Sequence, residues 1–463
     1  MHVMDLKPFG RIVGDDNVSR TPTWKSAADA SWHRPDAVVT PGNTTEVREV
    51  VREAARMGLK VVPAGGGTGY SGGVTTRNGG VVVDLRRIAD ISSVDDRLNL
   101  VRVGAGSTIA SFNQQLHPRG LWWPHDPGSR AMSTVGGVIS VRGIGSYHTR
   151  YGWASDMVYG LTVVLANGDI LTLEPRPKGR STGYNLLALF LSAEGTLGII
   201  VEAVVKVWRL PDHREVRLVR FATLDQVEKY VGFLLHSGVA PESLMLESAD
   251  RFVSDFQLRA GLTVARLEKA IEGANWIAIA SLAGREAIAR RQADEVFHLG
   301  REAGGIPVDD SDVVDAYWMR KTQDMTLERT AIPTYHVGDL GVAGLDLQTL
   351  NRSYSEVTSM FRLRRKGIRF YVSWPTGEVA CSAQVFYDEN SFEETVRARE
   401  WSRALAHSVA EAGGTVSSIL GVGVRLVEDI SVERSASEMN LMRGIKALLD
   451  PQNLMNPGKL LPS

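Results

Sequence analysis

The sequence predicts an α+β protein in which a compact α/β unit comes first and a unit of antiparallel sheet and helices follows. Three observations predict it. Residues 37–62 alternate strand, helix and strand, and they deliver a glycine-dense loop at the end of the last strand. Short β-branched runs separated by turn signals continue to residue 173. Beyond Pro211 the rhythm changes to strands alternating with amphipathic helices.

Taken in order, Ala37-Val-Val-Thr40 reads as a strand and Pro41-Gly-Asn43 as the turn after it. Thr44 or Thr45 is placed to cap a helix to about Met57, with Val47, Val50, Val51 and Ala54 on one face. Residues 59–62 form the next strand. Residues 80–85, 98–103 and 161–165 read as further strands, the last joined through Ala166-Asn-Gly-Asp169 to a partner at 170–173. In the second unit, strands are expected at 217–221, 243–247 and 275–281, with helices at 224–235 and about 285–303. The amphipathic stretch 393–411 is expected to pack inside the fold rather than to bind a partner.

The segment Val61-Val-Pro-Ala-Gly-Gly-Gly-Thr-Gly-Tyr-Ser-Gly-Gly73 places six glycines in nine residues. Glycine accepts φ > 0 and has no Cβ, so successive N–H groups can converge on an anion such as a nucleotide phosphate. Gly67, Gly69 and Gly72 also satisfy GxGxxG, but that fingerprint must open a helix. Here Val74 to Leu85 runs through a turn at Asn78-Gly79 into a β-branched strand, so the doubly wound reading is weak. A long surface loop stays open as the plain alternative.

Composition limits the partners. Lys and Arg total 52 against 53 Asp and Glu, a formal charge of −1, so nothing draws the chain to nucleic acid or an anionic bilayer. The N-terminus lacks the apolar stretch of a signal peptide, and no run reaches membrane-spanning length. The single cysteine, Cys381, cannot form an internal disulfide. A cytoplasmic enzyme with a small-molecule partner is expected, and a homodimer suits its size.

A second small-residue stretch runs from Asp126 through Gly143 and Gly145 to Tyr151-Gly152. Gly128, Ser129, Thr134, Gly136, Gly137 and Ser140 would let amides and hydroxyls approach a diphosphate and a flat ring, although a tight-turn region accounts for them too. A third piece, Phe190-Leu-Ser-Ala-Glu-Gly-Thr-Leu-Gly-Ile-Ile-Val201, joins Gly195 and Gly198 to an apolar strand.

The order PAGGGTGYSGG, DPGSR…STVGG and SAEGTLGIIVEA, closed by Leu449-Asp-Pro-Gln-Asn-Leu-Met-Asn-Pro-Gly-Lys-Leu-Leu-Pro462, resembles the FAD-linked oxidases of the vanillyl-alcohol oxidase / p-cresol methylhydroxylase superfamily. The branch is the one holding D-lactate and D-2-hydroxyglutarate dehydrogenases, alkyl-dihydroxyacetonephosphate synthase and a glycolate oxidase subunit. The likeness is specific over residues 30–210 and 430–463 and looser between. It implies a two-subdomain FAD-binding α/β domain over residues 1–213, an α+β cap domain with antiparallel sheet over 214–428, and a C-terminal segment, 429–463, returning to the FAD domain.

By motif, Pro63, Ala64, Gly65, Gly66, Gly67, Thr68, Gly69, Tyr70 and Ser71 would hold the pyrophosphate. Pro127, Gly128, Ser129, Thr134, Gly136, Gly137 and Ser140 would lie along the ribityl chain and ring, with Gly143, Gly145, Ile200, Asn456 and Lys459 adding contacts. Some relatives attach FAD covalently through a histidine in or near the first glycine loop. This loop contains none, and His125 and His148 lie in the second region, so non-covalent FAD is expected.

The chain departs from the hydroxyacid branch where that branch carries HxGDGNxH-type and GEHGIG-type motifs for a metal and a catalytic histidine. Pro375 and Ser382 take the two metal-histidine places, and Ile419-Leu420 replaces the Glu-His pair. Aliphatic side chains neither coordinate a cation nor take a proton, so no metal is expected. The more apolar pocket that results suits an aromatic or hydrophobic alcohol or phenol, oxidised by hydride transfer to flavin N5. Two alternatives stay open: a metal-independent D-2-hydroxyacid dehydrogenase, and a redox-neutral flavin synthase or non-catalytic flavin subunit. Oxygen, a quinone or a redox protein would accept the electrons.

Catalytic groups must come from the cap. Arg320 falls where hydroxyacid relatives carry a carboxylate-binding arginine, and Tyr335-His336 falls near a second anchor. Arg320 reads equally as a surface ion-pair member. Tyr371, Trp374, Gln384 and Tyr387 alternate along what reads as a cap strand, which puts Tyr371 and Tyr387 on one face by period two, a pattern core packing also explains. His148 and Tyr151 are candidates for the ring edge, whereas His407 reads as a packed or solvated helix residue.

Overall fold

The computed structural model describes residues 5–20, 35–76, 79–176, 181–257, 263–322, 334–342, 344–388 and 390–462. The chain divides into two compact units. Met1–Ile144, Trp153–Arg209 and Leu420–Ser463 form the first, and Gly145–Gly152 with Leu210–Ile419 form the second.

In the first unit a four-stranded sheet has the order Val18–Ser19, Ala37–Val39, Val81–Asp84, Val61–Ala64, and its last three strands are parallel. Parallel strands are covered on both faces, which is why these read as unbroken apolar runs and not as alternating ones. Helix Thr44–Arg56 makes the first crossover and buries Val47, Val50, Val51 and Ala54. Its cap is Asn43, one residue ahead of the expected threonines, because the amide oxygen of Asn43 accepts from Glu46 N–H at 3.0 Å. Asparagine in an extended conformation caps as well as threonine does, and Thr44 and Thr45 become the first helical residues.

A second, antiparallel sheet has the order Ile91–Asp95, Leu100–Gly104, Ile199–Lys206, Val158–Val164, Ile170–Leu173. The hairpin expected at 166–169 joins its last two strands.

The second unit is built on a seven-stranded antiparallel sheet, ordered Ile306–Pro307, His213–Phe221, Trp276–Gly284, Ser243–Ser248, Arg364–Val372, Val379–Phe386, Thr334–Val342. Helices Leu224–Ser237 and Glu286–Glu302 fall where the periodicity placed them. The expected single strand through Trp374 does not exist. Pro375 and Gly377, the latter at φ +73°, reverse the chain between Arg364–Val372 and Val379–Phe386. Tyr371 and Tyr387 therefore do not share a strand, and Tyr371 pairs with Ala380 instead.

Cross-strand partners share a sheet face. The register Met245↔Tyr371, Glu247↔Arg369, Arg369↔Ser382 and Gly367↔Gln384 thus puts Met245, Glu247, Arg369, Tyr371, Ser382 and Gln384 on one face. Phe252, Val313 and Tyr317 from the flanking helices pack on that face with Ile277 and Ile279. No described helix is long and apolar enough to cross a membrane.

Candidate functional site

In the first unit the glycine segment 65–73 leaves the end of the Val61–Ala64 strand and meets the second small-residue segment. A Cβ on Gly65 would stand 2.1 Å from Thr134 Oγ1, and one on Gly66 would stand 1.8 Å from the Met132 carbonyl oxygen. These separations are far inside van der Waals contact, so the two segments lie together only because neither position has a side chain. Thr134 caps the helix Val135–Ser140, its hydroxyl oxygen accepting from Gly137 N–H at 3.4 Å, and Ser140 Oγ donates to the Gly137 carbonyl at 2.9 Å. Sequence reasoning missed this helix because two glycines in six residues are poor helix formers. Packing overrides them: a Cβ on Gly136 would stand 2.7 Å from Ala105 Cβ.

The C-terminal segment closes the same region. Val61 N–H donates to Leu454 O at 2.9 Å, and Asn456 N–H to Val61 O at 2.7 Å. The Asn456 amide donates to the carbonyls of Gly73 and Glu194 at 2.9 and 2.6 Å, and Lys459 Nζ donates to Thr75 O at 2.9 Å. Both side chains are buried, and they brace the end of the glycine segment. Ser71 Oγ donates to Gly421 O at 2.7 Å, which ties the segment to residues 420–423.

Glu194, in the middle of SAEGTLG, is the hub of this clasp. Its carboxylate accepts from Val422 N–H at 2.6 Å and Gly423 N–H at 2.9 Å, while its own N–H donates to Ser140 O at 2.9 Å. Burial pushes its pKa up to about 7, against the lowering effects of those two N–H groups and of Lys459. The backbone of Glu194 stands at φ +50°, a conformation that costs a non-glycine residue about 1–3 kcal/mol and that persists where surrounding bonds fix it.

In the second unit, the sheet face described above carries an ion cluster. Arg369 Nε donates to Glu247 Oε1 at 2.6 Å and its Nη2 to Asp255 Oδ2 at 3.0 Å, while Nη1 lies 3.5 Å from the Tyr371 hydroxyl. Tyr317 OH donates to the same Glu247 oxygen at 2.8 Å. Arg251 Nε reaches Asp255 at 2.8 Å and Lys366 Nζ reaches it at 3.2 Å. Among the described residues, three cations thus face two carboxylates. Burial alone would lower the pKa of Arg369, but Glu247, Tyr371, Tyr317 and Asp255 outweigh it and raise that pKa further. For Lys366 burial is the main influence and lowers the pKa, with Asp255 opposing. Beside the cluster, the buried His148 ring meets Tyr371 edge to face, centroids 5.9 Å apart.

A second charged group in this unit holds Arg214 against Glu242, whose Oε1 also accepts from Ser281 Oγ at 2.7 Å. The Arg214 guanidinium sits 5.2 Å from the Tyr147 ring centroid and 5.6 Å from that of Trp318.

Of the expected catalytic residues, Tyr371 is placed on this face. Arg320 belongs to helix Ser311–Thr322, and Tyr335 and His336 to strand Thr334–Val342, paired in register with Val385 and Gln384, but their side chains lie outside the described residues. Ser382, at one former metal-ligand place, is buried on the sheet, and Pro375 is in the reversing turn. Among the described residues no group of three or more His, Cys, Asp or Glu side chains could hold a metal ion. Sequence reasoning missed Arg369, Glu247, Arg251 and Lys366. The basic run Arg364-Arg-Lys-Gly-Ile-Arg369 was the available signal, but the carboxylates that collect these cations come from elsewhere in the chain.

Two family models match: the FAD binding domain over residues 35–174, and the C-terminal domain of the FAD linked oxidases over 210–460. The chain belongs to the FAD-linked oxidases. It is an FAD-dependent oxidoreductase of the vanillyl-alcohol oxidase / p-cresol methylhydroxylase superfamily, and FAD is its cofactor. This FAD-linked oxidase is 24% identical to glycolate oxidase subunit GlcD of Bacillus subtilis, over 96% of this chain and 93% of the relative. It is 29% identical to D-2-hydroxyglutarate dehydrogenase of Xanthomonas citri, over 92% and 89%. It is 26% identical to the mitochondrial D-lactate dehydrogenase [cytochrome] of Arabidopsis thaliana, over 92% and 74%. Among solved structures, p-cresol methylhydroxylase with substrate bound superposes with a TM-score of 0.81 at 18% identity, covering 99% of this chain and 96% of that one. Alkyldihydroxyacetonephosphate synthase gives 0.75 at 20%, covering 98% and 85%. At these identities both show the fold.

The residues of the protein's first unit fit the cofactor. Thr75 Oγ1, Ser107 Oγ, Ser133 Oγ and both ring nitrogens of His125 are buried without a hydrogen-bond partner among the described residues, and they lie on or beside the glycine segments. Native proteins rarely leave such groups bare, and a ligand rich in donors and acceptors would serve them. Gly66→Ala is expected to destabilise the protein by about 1–3 kcal/mol, because its methyl meets the rigid Met132 carbonyl, and to reduce the flavin that copurifies. Wild-type thermal stability together with a wild-type flavin-to-protein absorbance ratio would contradict the proposed packing of the two segments.

Proposed function

We propose that this FAD-linked oxidase oxidises the CH–OH group of a 2-hydroxy acid, without a metal, and recognises the substrate carboxylate through the cationic sheet face of its second unit. The observation that carries this reading is the charge count there among the described residues: Arg369, Arg251 and Lys366 against Glu247 and Asp255. An excess buried cation is costly when alone, and an incoming carboxylate offsets it. The names of the relatives, which include D-lactate dehydrogenase, D-2-hydroxyglutarate dehydrogenase and a glycolate oxidase subunit, favour a hydroxy acid over the aromatic or hydrophobic alcohol expected from Ile419-Leu420.

In this reading the first unit would hold FAD non-covalently, and the bound cofactor would supply the hydride acceptor. Arg369 orients the carboxylate, with Glu247 and Asp255 fixing its guanidinium. Tyr371 stands beside that guanidinium and His148 meets the Tyr371 ring, and these two side chains are assigned to hold the hydroxyl proton. Arg320, Tyr335 and His336 remain candidates for further substrate contacts.

Anaerobic mixing of purified holoprotein with a panel of substrates tests the reading. Bleaching of the visible flavin band by glycolate, D-lactate or D-2-hydroxyglutarate, persisting after chelator dialysis, is expected. Bleaching by aryl alcohols and by none of the hydroxy acids would restore the aromatic reading, and bleaching by no member of the panel would favour a redox-neutral role.

A further inference from the structure

His125 stands immediately before the Asp126-Pro-Gly-Ser segment, and its side chain is 1% exposed. Neither Nδ1 nor Nε2 has a hydrogen-bond partner among the described residues. The ring packs on an aromatic side chain: Trp123 lies with its centroid 5.1 Å away at an interplanar angle of 39°, and Trp123 in turn meets Phe112 edge-on at 5.8 Å. Asn113 fixes the Trp123 backbone in both directions, accepting from its N–H at 2.7 Å and donating to its carbonyl at 3.1 Å. The imidazole is therefore rigidly mounted. A buried polar group without a partner is destabilising, and here one ring carries two such atoms.

Other bare groups on or paired with the second small-residue segment narrow what could serve it. Ser107 Oγ and Ser133 Oγ are also buried without partners among the described residues. They belong to stretches of backbone bonded to each other, Ile109 N–H to Ser133 O at 3.0 Å and Val135 N–H to Ser107 O at 2.9 Å. Two bare hydroxyls thus belong to the second small-residue segment or the backbone paired with it, and the bare imidazole stands at the start of that segment.

Burial lowers the His125 pKa to about 3, so the ring is neutral at physiological pH and presents one N–H donor and one bare nitrogen acceptor. A diphosphate offers acceptors alone and favours a cation. Ring carbonyls, ring N–H groups and ribityl hydroxyls offer both kinds of partner.

We propose that His125 is a direct ligand of the uncharged isoalloxazine–ribityl portion of FAD, donating from one ring nitrogen and accepting at the other. It acts in positioning the cofactor and carries no covalent bond to it.

Apoprotein of the wild type and of the His125→Phe and His125→Gln variants should be titrated with FAD and, separately, with ADP, which lacks the flavin. The FAD-induced visible spectrum and the thermal unfolding of each apoprotein are recorded alongside. His125→Phe is expected to weaken FAD at least about 10-fold and to shift the bound flavin's absorption bands, with ADP affinity unchanged. His125→Gln, which restores a donor and an acceptor, is expected to recover part of the FAD affinity. Phenylalanine removes two bare nitrogens, so apoprotein stability is expected to be maintained. Unchanged FAD affinity and spectrum would mean that an ordered water alone serves His125, and would overturn the proposal. Equal loss of FAD and ADP affinity would overturn it too, since that pattern belongs to a distorted segment or a diphosphate contact. If His125→Phe fails to fold, the glutamine variant decides by the same two titrations: a flavin-specific shift in affinity or spectrum supports the contact, and wild-type behaviour towards both ligands rejects it.

Discussion

Arg369→Met is expected to lower kcat/KM for the hydroxy acid by at least about 100-fold, with most of the change in KM or in the rate of flavin reduction at low substrate. The same change strips Glu247 of its principal cation. Glu247 is fully buried, and a carboxylate left in that state typically costs about 3–5 kcal/mol. Stability and recognition must be separated, and the partner residue does so. In the double variant Arg369→Met/Glu247→Gln no buried charge is orphaned, and Tyr317 keeps an acceptor at position 247. It should therefore regain much of the lost stability while remaining inactive towards the acid. Arg369→Lys keeps the charge but loses the fork that spans Glu247 and Asp255, so an intermediate loss is expected. Steady-state kinetics beside denaturant unfolding check all three. Full activity in the double variant would remove Arg369 from substrate recognition.

The second large effect is on the pH dependence of stability and comes from Glu194. Its pKa in the folded protein is about 7 against an ordinary 4.5, so the folded state holds this proton more tightly than the unfolded state does. The group therefore favours folding most below pH 4.5, and that contribution is lost as pH rises from 4.5 to 7. The difference corresponds to about 3 kcal/mol at about 1.4 kcal/mol per pH unit. Glutamine cannot titrate. The stability of Glu194→Gln relative to wild type should thus rise by up to about 3 kcal/mol between pH 5 and pH 8, measured by denaturant unfolding at saturating FAD. A difference that does not change with pH would show that the Glu194 carboxyl titrates normally.

Local chemistry made much of the fold legible in the sequence. The apolar runs at 37–39, 61–62 and 81–83 announced buried strands, and the glycines at 65–73 announced a loop that another segment approaches closely, because each rests on a property of adjacent residues. Features set by distant partners were not legible. Helix Val135–Ser140 forms against its glycines because Ala105 leaves no room for a side chain at Gly136. The turn at Pro375 and Gly377 was masked by alternating residues on either side that fit a single strand. Arg369 and Glu247 are 122 positions apart, and Glu194 and Val422 are 228 apart, so neither the ion cluster nor the carboxylate hub could be assembled from spacing.

The most direct measurement compares an acid with its uncharged counterpart. Holoprotein dialysed against chelator is mixed anaerobically with the hydroxy acid that reduces it best and with the methyl ester of that acid, and the rate of flavin bleaching is followed in stopped flow. Recognition of a carboxylate by the Arg369 face predicts that the acid reduces the flavin and that the ester does so at least about 100-fold less efficiently. Equal rates for the two, or reduction by the acid only after a divalent metal is restored, would contradict the account.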